Sequence, residues 1–500
     1  MGRIYRFVVL TFAGFSAAGT ANTIVDDALL ITNVTVISPE RSAPLPNTTV
    51  VIRGGRITQI GRDLTAGPRA RTIDGHGGFL IPGLIDSHVH IGNMGPLDDD
   101  ATEAHPDLLH AYREQLPRSY LTFGFTTLVD LDLRPETAAW FNASPNHPNL
   151  CSCGRAVRIP GGYMALKPPK DAAAADAANI VYEPRSRNWP ANLDPHDYTP
   201  ARAVTRAVDA GAICLKTFIE PGFGGAANWP VPSPQTLSVL HAEAKKRGLA
   251  FVIHANALES WRMVLGARAD VIAHGIWQWP GDRLSTDPSR EVRDIIQRAA
   301  KAHIAVQPTL RCTYGDLSIF DKSLLENPQL GEALPRTIIS YLKSEEGRKA
   351  QRTQTEEYRQ AIASFFGTDL IDPLKAMSVG STRATATLRI MLAEHVRLVF
   401  GTDTPSNEGI GNPPGLNGRF ELGHWAEAGV PLSQILRATT IDNATTFGLA
   451  SDRGTIEPGK RADLLLLRAD PLKTITAYDS IDTVIISGKP IARSALLPPE

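Results

Sequence analysis

The stretch Ile85-Asp86-Ser87-His88-Val89-His90 (IDSHVH) follows the apolar run GFLIPGL, residues 78–84, with its Pro82-Gly83 break. Read as a β-strand, it sends alternate side chains to one face, so His88 and His90 point the same way. Two imidazoles side by side make poor core. They make a good half of a metal site. The remaining ligands must then come from other strands that end at the same place.

Such strands recur along the chain. After LIDSHVH come GFTTLVDLD (124–132), LCSCGRAVRI (150–159), AICLKTFI (212–219), AFVIHAN (250–256), DVIAHGI (270–276), IAVQPTL (304–310) and VRLVFGTD (396–403). Helical segments separate them. In SPQTLSVLHAEAKKRG, Ser233 can cap, Pro234 suits the first turn, Leu237, Leu240 and Ala244 share a face, and Gly248 stops the helix. In DPSREVRDIIQRAA, Asp287 and Pro288 open a helix whose stripe is Val292, Ile295, Ile296 and Ala299. Eight strand–helix units predict an α/β fold, a closed parallel (β/α)8 TIM barrel over 83–452. An open doubly wound sheet is the other arrangement, but the Gly-rich phosphate turn it usually carries is absent.

The two ends of the chain read differently. ALLITNVTVIS, TTVVIRGGRITQIG and ARTIDGHGGFLIPG at one end, and RADLLLLRAD and DTVIISGKPI at the other, are short strands. Gly54-Gly55 and Ser487-Gly488 serve as turns. Residues 22–82 and 453–500 are therefore expected to form the two parts of one small composite β-sandwich, since chain ends commonly lie close together.

The first residues, MGRIYRFVVLTFAGFSAAGTANT, have Arg3 and Arg6 before an apolar run from Phe7 to Ala18, then small residues Gly19-Thr20-Ala21. This pattern predicts a cleaved signal over 1–21 and an exported, periplasmic or extracellular protein. The apolar run is shorter than the roughly 20 residues of a spanning helix, and no later segment is apolar enough, so no membrane association is expected after cleavage. Lys plus Arg number 51 and Asp plus Glu 52, which leaves no electrostatic footprint for nucleic acid. The four cysteines, Cys151, Cys153, Cys214 and Cys312, are too few for a disulfide scaffold and are read as small, half-buried apolar residues. About ninety residues separate the seventh and eighth strands, a length that marks either a lid or an elaborated outer helix with a solvated face; the second is expected.

In a barrel, chemistry gathers at the C-terminal ends of the strands. Those ends carry His88 and His90, Lys216, His254, His274 and Asp403. Each sits in an apolar strand, where a polar group is costly unless paired or ligated. Six at one rim read as a catalytic metal constellation rather than six separate core residues. Tyr163, Trp229, Asn256 and Trp277 lie just past strand ends and are candidate substrate contacts, with Trp279 beside them; His105 is read as a surface residue near the first loop.

The PGLIDSHVH stretch, the strand-four lysine, single histidines on strands five and six, GTD on strand eight and the tail ATTIDNATTFGLASDRGTIEPGKRADLLLL together resemble the amidohydrolase superfamily over nearly the whole chain after the leader. Within it, the chain looks closest to the imidazolonepropionase-like and metal-dependent dipeptidase branch. The resemblance implies that His88, His90 and Asp403 hold one divalent metal and that His254 and His274 hold a second. It implies that Lys216, carbamylated by carbon dioxide, bridges both. Two zinc ions are the default, with manganese, iron, nickel or cobalt as other fits. It implies hydrolysis of an amide-type bond of a small-molecule substrate by a metal-bound hydroxide, with Asp403 moving the proton. Further copies of the chain are the other expected partners. Two other readings keep the chain: a mononuclear deaminase, lactone, ester or cyclic-amide hydrolase with Lys216 unmodified, and a metal-binding scaffold without turnover. Dipeptidase-like relatives often carry a Gly-rich SGG stretch after the lysine; this chain departs from it with KTFIEPGFGG, residues 216–225.

Overall fold

The computed structural model describes residues 23–167, 169–184, 189–222, 228–366, 372–405 and 409–499. The expected leader, 1–21, lies outside the described residues.

The β-rich ends of the chain meet in one sheet. Leu29–Val36, Leu45–Arg53, Arg56–Gly61, Arg71–Asp74 and Phe79–Pro82 join Leu464–Leu467, Ile481–Ile486 and Lys489–Ala492 in eight mixed strands. Phe79–Pro82 pairs antiparallel with Leu464–Leu467, placing Ile81 opposite Leu465. One face buries Ile31, Val34, Val50, Ile52, Leu80, Leu464, Leu466 and Ile485 together. The hairpin turns at Gly54-Gly55 and Ser487-Gly488 all have positive φ, and a Cβ on Gly55 would sit 2.8 Å from the Ser487 carbonyl oxygen. The hydrogen bonding thus links both ends in a single large sheet, beside a two-stranded pair of Thr23–Val25 and Leu64–Ala66, where two packed sheets are expected from the sequence.

Between the ends lie two wholly parallel sheets. Leu84–Val89, Phe125–Asp130 and Asn149–Ser152 form the first. Cys214–Phe218, Ala250–His254, Val271–Ala273, Ala305–Gln307 and Arg397–Leu398 form the second. Each strand falls inside one of the eight stretches read from the sequence, except that the third begins one residue earlier, at Asn149. They are nearly continuous apolar runs because helices cover them. Backbone hydrogen bonds cross both gaps between the sheets. Ile213 N–H donates to Ser152 O and Val157 N–H to Lys216 O on one side, at 2.8 Å each. Asp403 N–H donates to His88 O at 2.7 Å and His90 N–H to Thr404 O at 2.8 Å on the other.

The helix Pro234–Lys246 is capped by Ser233 and buries Leu237, Leu240 and Ala244, as its pattern dictates. The second expected helix begins later than its sequence suggests, at Arg290. Ser289 is its cap, because its hydroxyl accepts the Val292 N–H; the buried stripe is unchanged. No described helix is long and apolar enough to cross a membrane.

Two cysteines correct their sequence reading. Cys153 and Cys214 form a disulfide across the gap between the sheets, although 61 residues separate them. Spacing along the chain carries no trace of this pairing; the neighbouring third and fourth strands create it.

The long connection also differs from the expected outer helix. Pro373–Ala393 does pack on the outside against Leu310–Phe320. Residues Tyr341 and Leu342 and the helix Glu345–Phe366 instead line a cavity of about 1060 Å³ that opens over the strand ends.

Candidate metal centre

His88 leaves the strand Leu84–Val89 on its inner face, and His90 follows two residues later. Both Nε2 atoms reach one oxygen, Asp403 Oδ1, at 3.1 and 3.0 Å. The approach is tight: a Cβ on Gly401 would lie 2.6 Å from the His88 Cβ, so only glycine lets the eighth strand pass. Asp403 then takes a left-handed φ of 58° to turn its carboxylate inward.

Buried polar groups lock these two strands. Asp86 accepts N–H bonds from His88 and Thr402 and the Thr402 hydroxyl at 2.6 Å. Asn443 of the tail motif donates to Ile85 O and Phe400 O at 2.8 and 2.9 Å. The tail is therefore a brace beneath the histidine strand.

The other expected ligands come to the same place. The His274 ring lies 5.3 Å from that of His88 and 4.6 Å from that of His254. His274 has φ 82°, and its Nδ1 is 2.7 Å from the Thr309 hydroxyl. Lys216 is only 1% exposed. All six residues line the same cavity.

Electrostatics suits cation binding. Burial lowers His88 to about 3 and also lowers His254 and His274, so these imidazoles stay neutral, the form that ligates. Burial pushes the Asp403 carboxyl up, but the attraction of the His88 ring and the hydrogen bonds from His88 and His90 outweigh it and hold it well below its ordinary value. For His90 the hydrogen bond and charge of Asp403 outweigh burial and raise it. Burial pulls the Lys216 ammonium down to about 8 against the attraction of Asp403 and Asp132. The buried His254 Nε2 has the Glu220 Oε2 carboxylate oxygen at 3.5 Å, the long limit of a hydrogen bond. His88, His90 and Asp403 bring ligand atoms within 4.8 Å of one another, and so do His274, Cys312 and Asp403. Neutral imidazoles around one anionic carboxylate fit a divalent cation.

Of the candidate substrate contacts, Tyr163 lines the cavity, with its ring 5.0 Å from that of His254. Trp229 stacks on Tyr163 at 5.7 Å and is a support rather than a described lining residue. Asn256 is 2% exposed and its backbone carbonyl accepts the Trp277 N–H; neither residue is among the described lining. Trp279 packs under the Arg383 guanidinium at 4.1 Å. His105 is no isolated surface group. Its Nε2 pairs with Glu346 at 2.9 Å and joins the first loop to the long connection.

Three features escaped the sequence reading. Cys312, taken for a small apolar residue, places Sγ 2.9 Å from Asp403 Oδ2. Glu220 is buried beside His254. Arg155 and Arg158 line the cavity but both pair with Asp132. The one signal available was position: Glu220 lies four residues beyond Lys216, just past the end of the same strand.

Comparison with known proteins agrees with this geometry. Residues 79–491 match the Amidohydrolase family. An allantoinase from Deinococcus radiodurans is 24% identical over 471 residues, covering 90% of this chain and 89% of that protein. An adenine deaminase from Rubrobacter xylanophilus is 37% identical, but over 76 residues that span only 12% of its length. Among solved structures, a Xaa-Pro dipeptidase with bound methionine superposes with a TM-score of 0.62 at 21% identity, covering 93% of this chain and all of that one (100%). The ochratoxinase of A. niger superposes with a TM-score of 0.60 at 19% identity, covering 93% and 96% of the two chains. These likenesses show a shared fold. Because the family match runs from the strand that precedes the histidines to the last strand of the terminal sheet, the chain belongs to the amidohydrolase family.

Proposed function

We propose that this chain is a metal-dependent hydrolase that cleaves an amide-type C–N bond in a small molecule. The observation that carries this reading is the grouping of His88, His90, Lys216, His254, His274 and Asp403 in one cavity wall. His88, His90 and Asp403 would hold one divalent ion and His254 and His274 a second, with Lys216, once carbamylated, between them. Such ions, zinc by default, supply a water acidic enough to attack near neutral pH and polarise the carbonyl.

The chain's own groups supply the rest. Asp403 stays anionic, so it accepts the proton of the attacking water and returns it to the departing nitrogen. Lys216 has a substantial neutral fraction near pH 8, which carbamate formation requires. Tyr163 bounds the space beside His254 and orients the substrate. The residues of the long connection that line the cavity mouth limit water entry, the role of a lid.

The same reading extends to the frame. Backbone hydrogen bonds at both gaps support a closed (β/α)8 barrel over 83–452, with 22–82 and 453–500 as an accessory β-domain. The Cys153–Cys214 bridge supports export directed by a leader at 1–21, because disulfides persist in oxidising compartments.

A cyclic amide is the second substrate class, favoured by the near full-length likeness to an allantoinase. A panel of linear amides, dipeptides, cyclic amides, esters and purine amines, run on metal-loaded protein and on Asp403→Asn, tests the reading. Turnover on an amide that falls by about 10²–10⁴ in the variant supports it. Activity confined to purine amines, or unchanged in Asp403→Asn, overturns it.

A further inference from the structure

Glu220 is a carboxylate with 1% exposure, two residues past the strand Cys214–Phe218. Burial of such a group is costly unless something holds it. One oxygen, Oε1, accepts the Gly222 N–H at 2.7 Å. The other, Oε2, lies 3.5 Å from His254 Nε2. The register of the sheet sets this meeting. Phe218 pairs with His254 across the two strands, and Ile219 N–H donates to His254 O at 2.9 Å, so residue 220 emerges beside the imidazole. The His254 ring in turn packs 4.6 Å from the ring of His274.

We propose that Glu220 is a positioning residue of the metal centre: its carboxylate accepts the Nε2–H of His254 and so leaves Nδ1 as the nitrogen that His254 offers to a metal. The proposal rests on the metal-dependent reading above for its consequence, but not for the hydrogen bond itself. The physical reason is general. A ligating imidazole has two nitrogens, and a carboxylate on one fixes the tautomer, holds the ring angle and makes the other a better donor. The fourth strand then acts on the centre twice, through Lys216 and through Glu220.

Two measurements test it. The first is 15N NMR of metal-free protein with labelled histidine, with the His254 signal assigned by its loss in His254→Gln. The expected result is the Nε2–H tautomer in the parent; an Nδ1–H tautomer overturns the proposal without any Glu220 variant. The second is titration with Zn2+ or Co2+ by calorimetry. Glu220→Ala is expected to weaken the second equivalent 10–100-fold and leave the first unchanged. Glu220→Gln, which keeps an oxygen that accepts the same N–H, is expected to stay close to the parent. Parent-like binding of both equivalents by Glu220→Ala overturns the proposal. So does a Gln variant as weak as the Ala variant, since charge rather than the acceptor would then matter. A parent that binds no metal but shows the Glu220-dependent Nε2–H tautomer would sink the hydrolase reading and leave the Glu220–His254 bond standing.

Discussion

Cys312 Sγ lies 2.9 Å from Asp403 Oδ2, the oxygen that neither His88 nor His90 contacts. The thiol is protonated here, pushed well up by burial and by the Asp403 charge, so it donates to the carboxylate. Hydrogen bonds to charged groups are worth about 1.5–3 kcal/mol. Cys312→Ala should therefore lower kcat on the order of tenfold while metal uptake is kept, and Cys312→Ser should recover part of the loss. Steady-state kinetics beside metal analysis checks this; an unchanged kcat in the Ala variant refutes it. A sulfur-to-cobalt charge-transfer band in the Co2+ protein would instead make Cys312 a ligand.

Lys216 carries the sharpest test of the two-ion arrangement. Its ammonium is lowered to about 8 by burial, so its neutral form grows as pH rises through that value. Reloading of stripped protein with metal and bicarbonate should speed up from pH 7 to pH 9. Elemental analysis should find two ions in the parent and one or none in Lys216→Ala. Equal metal content in both proteins would mean that Lys216 bridges nothing.

The Cys153–Cys214 bond closes a loop of 61 residues between strands that flank the site. Loss of such a bond costs about 2–5 kcal/mol. Cys153→Ser with Cys214→Ser should melt several degrees below the oxidised parent, and the reduced parent should match the double variant. Identical melting of oxidised and reduced protein would contradict this.

His424 stacks on Tyr314 at 4.0 Å and is lowered to about 4, by burial first and then by Arg311, against the pull of Glu427. The unfolded chain binds this proton below about 6.5, whereas the folded one resists it until about 4. Stability is thus present above 6.5 and lost as pH falls toward 4. His88, lowered to about 3, adds to the same slope in metal-free protein. His424→Phe keeps the stack and removes the titration, so its melting temperature should fall less between pH 6.5 and 4.5. Parallel curves for parent and variant would exclude His424 as a contributor.

The parts of this protein that were legible in its sequence are those governed by short-range rules. Period two put His88 and His90 on one face, and apolar runs marked eight strands whose ends carry Lys216, His254, His274 and Asp403. Cap and stripe patterns located the helices to within a few residues; Ser289 displaced Asp287 because a hydroxyl one residue before the first turn reaches the Val292 N–H.

Other features depend on which strands become neighbours. Cys153 meets Cys214, Cys312 meets Asp403, and Glu220 meets His254 only after the strands pair, because each contact joins residues far apart in the chain through sheet register or a loop's return. The cavity mouth has the same origin: the helix Glu345–Phe366 reads as solvated and charged, yet packing turns one side of it toward the site. By itself the sequence determined the chemistry at the strand ends, since residue type and alternation are local. Only the tertiary structure decided how each of these side chains is held, since orientation depends on partners that hydrogen bonding brings together across the fold.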